Sequence, residues 1–171
     1  MTLPHLLDDA LPFLVARAGI KTSLAFSNEI KQFGLSLNEW RVCATLRYQP
    51  LQRIGEVATH TSIDTSTLSR LVDAMIEREL LIREVDPEDA RARALRLTAK
   101  AEDITDRIIP LAQLYERVAL AGISPEHARI LKDCLARMYS NLDLLHLRGV
   151  KASEKLQTSM KRPPSRRRKT A

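Results

Sequence analysis

Between residues 5 and 34, apolar side chains recur at three- and four-residue steps: Leu7, Leu11, Leu14, Val15, Ala18 and Leu24. That period predicts a helix with one wide apolar face, stopped by Gly34. Ser36-Leu37-Asn38-Glu39 has the S-x-x-E spacing of a capping box and predicts a helix to about Tyr48, where Gln49-Pro50 breaks it. A short helix from about Arg53 to Thr59 and a polar turn at His60-Thr61-Ser62 come next. Asp64 is placed to cap the following helix, Thr65 to about Leu80, whose apolar face is Leu68, Leu71, Val72, Met75 and Ile76. The period then drops to two. Leu81 to Val85 and Arg93 to Leu97 predict strands, with Leu95 and Leu97 on one face and Ala94 and Arg96 on the other. Asp86-Pro87-Glu88-Asp89-Ala90-Arg91 is the turn between them. Thr98 to about Ala121 returns to helical spacing, with a kink expected at Pro110 and an end at Gly122. Ser124-Pro125-Glu126 opens the last helix, where Leu131, Cys134, Leu135, Met138, Leu142 and Leu145 follow a nearly seven-residue repeat.

Wide apolar faces at both ends of the chain need cover. A second copy of the chain is the simplest cover, and packing onto the middle is the alternative. In the middle, small Ala58, the turn at Ser62 four residues on and apolar Leu68 ten on have the spacing of a helix-turn-helix. Ala58 lets two helices cross closely, and Leu68 anchors the second on the first. Thr65, Ser66, Thr67, Ser69 and Arg70 then form the exposed first half of that second helix. Small hydroxyls with one arginine suit entry into a major groove. The hairpin that follows carries Arg91 and Arg93 near its tip, which makes a wing able to reach the minor groove. Asp89 is spaced to hold that wing through an ion pair within the turn.

Composition limits the alternatives. A chain of 171 residues predicts one domain with appended segments, and 44% hydrophobic with 28% charged residues is an ordinary globular balance. Five glycines are too few for a Gly-rich phosphate loop, and 4% aromatics argue against a stacking platform for single strands. No apolar run reaches the ~18 residues of a membrane span, and the start lacks the form of a signal peptide. Cys43 and Cys134 make no secreted disulfide framework, which points to a cytoplasmic protein. Cys43 stands where the pattern wants a core residue, and Cys134 lies on the apolar stripe of the last helix. His5, His60, His127 and His146 are scattered singly, so neither a metal site nor a cofactor is expected. No nucleophile–base arrangement or paired carboxylates suggest an enzyme. The net charge of +6 belongs to the tail: residues 148–171 hold nine Lys/Arg and one acid, leaving 18 bases against 20 acids in residues 1–147. The tail reads as disordered and basic, either a phosphate-binding arm or a solvated appendage.

From Leu35 to Thr98 the sequence resembles the MarR family of bacterial transcriptional regulators. The stretches that carry this are LSLNEWRVCATL, DTSTLSRLVDAMIERELL and DPEDARARALRLT, the last with a D-x-R wing signature at Asp89 and Arg91. The order of the flanking helices also matches. The resemblance implies a mainly α fold with a small β-hairpin wing, in which dimerisation helices flank a winged helix-turn-helix. It divides the chain into a dimerisation helix at 1–34, a DNA-binding domain at 35–97, dimerisation helices at 98–147 and the basic tail. It gives recognition-helix roles to Ser66, Thr67 and Arg70, and wing roles to Asp89 and Arg91. It further implies a homodimer on double-stranded DNA, most often a repressor, released by a small aromatic anion or an aryl-coenzyme A thioester. Rival readings are a sequence-neutral architectural DNA binder and a redox regulator using Cys43 or Cys134; the family's hydroperoxide sensors carry their cysteine in the first helix, which here has none. Ser62, Glu79 and Ala101 stand where the family commonly has glycine. A side chain forced into a left-handed cap would cost about 1 kcal/mol. Ala90 stands where a second wing arginine is frequent, partly restored by Arg93.

Overall fold

A computed structural model describes residues 7–86 and 89–147, in two units that meet in sequence between Ala119 and Leu120. Among the described residues the first unit holds helices α1 (Leu11–Ile30), α2 (Leu37–Tyr48), α3 (Ile54–Thr61), α4 (Thr65–Glu77) and α5 (Ala99–Ala119). It also holds strands β1 (Gln52–Arg53), β2 (Leu81–Val85) and β3 (Arg93–Leu97). The second unit holds α6 (Pro125–Leu147).

α1 begins later than the apolar pattern predicts. Pro12 sits in its first turn, the one place in a helix where a missing N–H is harmless. Gly34 closes the α1 segment at φ +73°, as its position suggested. The capping box of α2 forms as spaced: Ser36 Oγ accepts from Glu39 N at 3.3 Å, and Glu39 Oε2 accepts from Ser36 N at 2.6 Å. Buried Glu39 also accepts from Arg78 Nη1, and Arg78 Nη2 donates to the Gly34 carbonyl at 2.6 Å. The end of α4 is thereby tied to the start of α2. α4 stops three residues short of the expected Leu80 because Glu79 turns left-handed at φ +57°.

The two expected strands have the bounds read from the sequence and pair antiparallel from Leu81–Leu97 to Val85–Arg93. The sequence reading missed β1, which pairs Gln52 with Leu95 and Arg53 with Ala94 and completes the order β1-β3-β2. Two residues are too few to show a period. Ala94 shares a face with Arg96, as read from the alternation, and is nevertheless fully buried. The alternation holds, but Arg53 and Glu84 flank its methyl group on the neighbouring strands.

The core draws on every element of the first unit except β1, with Ile30, Leu46, Val57, Leu68, Leu81, Leu95 and Ile108 among its fully or almost fully buried side chains. Thr98 caps α5 by accepting from Ala101 N at 3.2 Å, and Pro110 lies inside that helix with no N–H for the Asp106 carbonyl. α1 leaves Leu11, Leu14, Val15, Ile20 and Leu24 exposed. In the second unit Ser124 caps α6 by accepting from His127 N at 3.2 Å, and Ile130, Leu131, Leu135, Tyr139 and Leu142 are exposed along it.

Candidate nucleic-acid interface

The turn between α3 and α4 is set by Ser62, at φ +55°, and by buried Ile63. Leu68 is fully buried and Ala58 half-buried, the arrangement the spacing called for. Asp64 caps α4: its Oδ1 accepts from Thr67 N at 2.9 Å and from Ser66 Oγ at 2.7 Å. Hydrogen bonds from Thr67 and Ser66 hold the Asp64 carboxyl far below the usual carboxylate range.

Thr65, Ser66, Thr67 and Arg70 are exposed on the first two turns of α4, while Ser69, expected on the same open face, is half-buried. The Ser66 hydroxyl and the Thr67 backbone are committed to the cap, which fixes their orientation. Arg70 makes no hydrogen bond or ion pair with another described residue.

Asp89 holds the wing differently from the ion pair expected. Its Oδ1 accepts from the backbone N of Arg91 at 3.0 Å, and its Oδ2 lies 4.0 Å from Arg53 Nη2. A two-residue separation suits a bond to the nearby amide better than one to a long side chain. Asp86, at 7% exposure, accepts from Arg53 Nε at 2.6 Å and from Asp89 N at 3.1 Å. The Asp86 bond pushes the Arg53 guanidinium above its ordinary range. Arg91 is exposed, and its guanidinium pairs with no other described residue. Arg93 is exposed but folds onto its own turn, with Nη1 3.1 Å from the Ala92 carbonyl and 3.4 Å from that of Ala90. Pro87 and Glu88 lie outside the described residues.

Arg53 is the site residue that sequence reasoning missed. Its signal was an arginine at a helix N-cap, where Ser, Thr, Asp or Asn is usual. The hairpin's other arginines are neutralised: Arg83 pairs with Asp73 at 2.6 Å and Arg96 with Glu84 at 2.6 Å.

Burial pushes the Cys43 thiol up to about 12, although its interaction with the Thr105 side chain opposes the shift; Cys134 is exposed. No group of three His, Cys, Asp or Glu among the described residues is placed to hold a metal. Trp40 packs edge-to-face on Phe26, with ring centres 5.7 Å apart, and Phe26 meets Tyr115 at 5.5 Å. Exposed Tyr48 lines a recess of about 330 Å³ with Ala44, Thr45, Gln49 and His60. None of the described helices is long and apolar enough to cross a membrane.

Residues 35–92 match the MarR family model. The transcriptional repressor IacR of Pseudomonas putida is 26% identical over 117 residues, covering 68% of this chain and 70% of its own. The crystal structure of a MarR-family transcriptional regulator from Silicibacter pomeroyi is 26% identical, with a TM-score of 0.73 over 82% of this chain and 96% of that one. CouR of Rhodococcus jostii RHA1, solved bound to p-coumaroyl-CoA, shares the fold at 24% identity, with a TM-score of 0.73 over 79% and 95% of the two chains. The matched segment runs from the α2 capping box through the helix-turn-helix to the Asp89–Arg91 wing: residues 35–92 are a MarR-family segment, and the relatives similar to the chain are transcriptional regulators.

Proposed function

We propose that the protein is a homodimeric repressor that binds a pseudo-palindromic operator in double-stranded DNA and is released by a small aromatic acid or its coenzyme A thioester. The observation that carries this reading is a pair of arginines with no carboxylate partner among the described residues, on two separate elements: Arg70 on the exposed start of α4 and Arg91 on the wing. Thr65, Ser66, Thr67, Ser69 and Arg70 read the major groove, and Asp89, Arg91 and Arg93 form the wing over the adjoining minor groove. Residues 35–97 are then the DNA-binding part, with 1–34 and 98–147 serving dimerisation. The exposed apolar rows of α1 and α6 favour a second copy as their cover. Two recognition helices about one helical turn apart would read two half-sites.

An effector acts by binding better to a dimer whose recognition helices are spaced wrongly for DNA. A protein of this fold holds p-coumaroyl-CoA, which supports an aromatic acid or thioester as the class to screen. The redox alternative is disfavoured at Cys43, since a thiol at about 12 holds almost no thiolate near neutrality.

The test is selection from a random duplex library, at near-physiological salt, with the full chain and with residues 1–147. An inverted repeat recovered by both proteins supports the reading. Retention without any consensus, lost on truncation, would instead identify a sequence-neutral binder driven by the tail.

A further inference from the structure

One side chain joins the helix-turn-helix to the wing. Arg53 occupies the N-cap of α3, where a side-chain oxygen ordinarily accepts from the first-turn amides; arginine has no acceptor to offer. Glu56 supplies the reciprocal bond by accepting from Arg53 N at 2.6 Å. The Arg53 side chain is thus released from capping. Its starting point is fixed twice, by the β1 pairing with Ala94 and by a tight entry in which Leu51 sits at φ +59°, a conformation a bulky residue rarely adopts.

From there the guanidinium reaches the wing. Nε donates to Asp86 Oδ2 at 2.6 Å, Asp86 Oδ1 accepts from Asp89 N at 3.1 Å, and Asp89 Oδ1 accepts from Arg91 N at 3.0 Å. Three consecutive hydrogen bonds run from the first helix of the helix-turn-helix to the wing arginine. Asp86 is buried, so its charge needs the cation that Arg53 brings. The Arg91 guanidinium itself stays exposed and unpaired among the described residues.

We propose that Arg53 is a positioning residue for DNA recognition. It sets the pose of Arg91 relative to α4, so that the recognition helix and the wing meet DNA as one rigid unit. This rests on the operator reading above. It also differs from a direct role: the Arg53 side chain is 43% exposed, and a phosphate contact made by it would act independently of Arg91.

The two roles separate in a double-mutant cycle. Dissociation constants for the recovered operator duplex are measured by fluorescence anisotropy, at one salt concentration, for the full-length protein, Arg53→Ala, Arg91→Ala and the double variant. Each single change is expected to weaken binding about tenfold, and the double variant to bind no more weakly than Arg91→Ala alone. Losses that multiply toward about a hundredfold overturn the proposal, as does an Arg53→Ala protein that binds like its parent. Circular dichroism melts check folding; should Arg53→Ala fail to fold, Arg53→Gln keeps the side-chain stem and the cycle is run with it. A selection that recovers no preferred duplex defeats the operator reading, and this proposal with it. With a duplex in hand, multiplying losses defeat the positioning role alone.

Discussion

Replacing Glu79 by glycine is expected to stabilise the fold, and the reason lies in how α4 ends. Glu79 N donates to the Ile76 carbonyl at 2.9 Å, and Leu80 N donates to the Met75 carbonyl at 2.9 Å. This pair of bonds defines a Schellman motif, whose residue between the helix cap and Leu80 must be left-handed. Glu79 meets that demand at φ +57°. Left-handed backbone presses a Cβ toward the following carbonyl oxygen, at about 1–2 kcal/mol for an L-residue. Glycine removes the contact but returns about 0.4–1 kcal/mol through its greater freedom when unfolded. The balance favours glycine by about 0.5–1 kcal/mol, a rise in Tm of about 1–4 °C for a chain of this size. Little else changes on substitution. The Glu79 side chain is exposed, Leu80 and Met75 stay buried against the core, and Thr98 Oγ1 still donates to the residue 79 carbonyl at 2.8 Å. The assay is thermal melting of the parent, Glu79→Gly and Glu79→Ala at one protein concentration, because an associating protein's Tm moves with concentration. Alanine keeps the Cβ and so isolates the backbone effect from loss of the carboxylate. Glycine should melt above the parent and alanine near it. A glycine variant that melts at or below the alanine variant refutes the strain argument.

Three further outcomes are expected. Because folding raises the Cys43 thiol from 9.0 to about 12, the folded chain holds that proton more tightly. Its contribution to stability is complete below about pH 9 and is lost as pH rises toward 12, so urea midpoints should fall over that range, and less steeply in Cys43→Ala; equal slopes in both proteins would exclude Cys43 as the cause. Arg70→Ala should weaken operator binding by about 1–3 kcal/mol while sedimentation shows an unchanged oligomer; unaltered binding would remove Arg70 from the reading surface. Truncation after Leu147 removes the basic segment, which lies outside the described residues, and should flatten the plot of log K against log salt by about 0.9 per lost phosphate contact. Identical slopes would make the tail a bystander on DNA.

What the sequence disclosed follows the range of each interaction. The α2 capping box spans three residues, and Asp64 caps amides within three residues of itself, so both were visible as spacing. The bounds of β2 and β3 were visible because five residues suffice to show alternation. The exposure of Thr65, Ser66, Thr67 and Arg70 was equally legible, since a buried Leu68 fixes which side of α4 remains open, whereas half-buried Ser69 beside it was misplaced. Arg53 was not legible as a site residue. Its partner Asp86 is 33 positions away, and no local period reports a contact across that distance. β1 was missed with it, since a strand of two residues exists only through its pairing. The end of α4 was placed too late because helical propensity continues through Glu79 and Leu80, whereas the tie between Arg78, Glu39 and Gly34 and the closing Schellman bonds decide where the helix stops.

The charge pattern makes geometry more important than attraction on the proposed surface. Of the arginines on β1, α4 and the hairpin, Arg53, Arg83 and Arg96 are each held by a carboxylate, from Asp86, Asp73 and Glu84. Arg70, Arg91 and Arg93 have no carboxylate partner among the described residues. A dimer would therefore offer about six such cations, and even if all met phosphates the salt slope would be only about −5. That is half the slope of about −10 known for a strongly electrostatic repressor. A body whose acids outnumber its bases, 20 to 18 over residues 1–147, cannot make up the difference through long-range attraction. On the proposed reading, discrimination would come from holding Arg70 and Arg91 where base edges and a narrow minor groove receive them. The Asp64 cap fixes the first by ordering the start of α4, and the Arg53–Asp86–Asp89 chain of bonds fixes the second. Sequence-neutral affinity, if the protein needs it, is then left to the nine cations of the tail. Specificity and affinity would be carried by separate parts of the chain, and truncation should lower affinity for all duplexes alike while leaving the ratio between operator and random DNA unchanged.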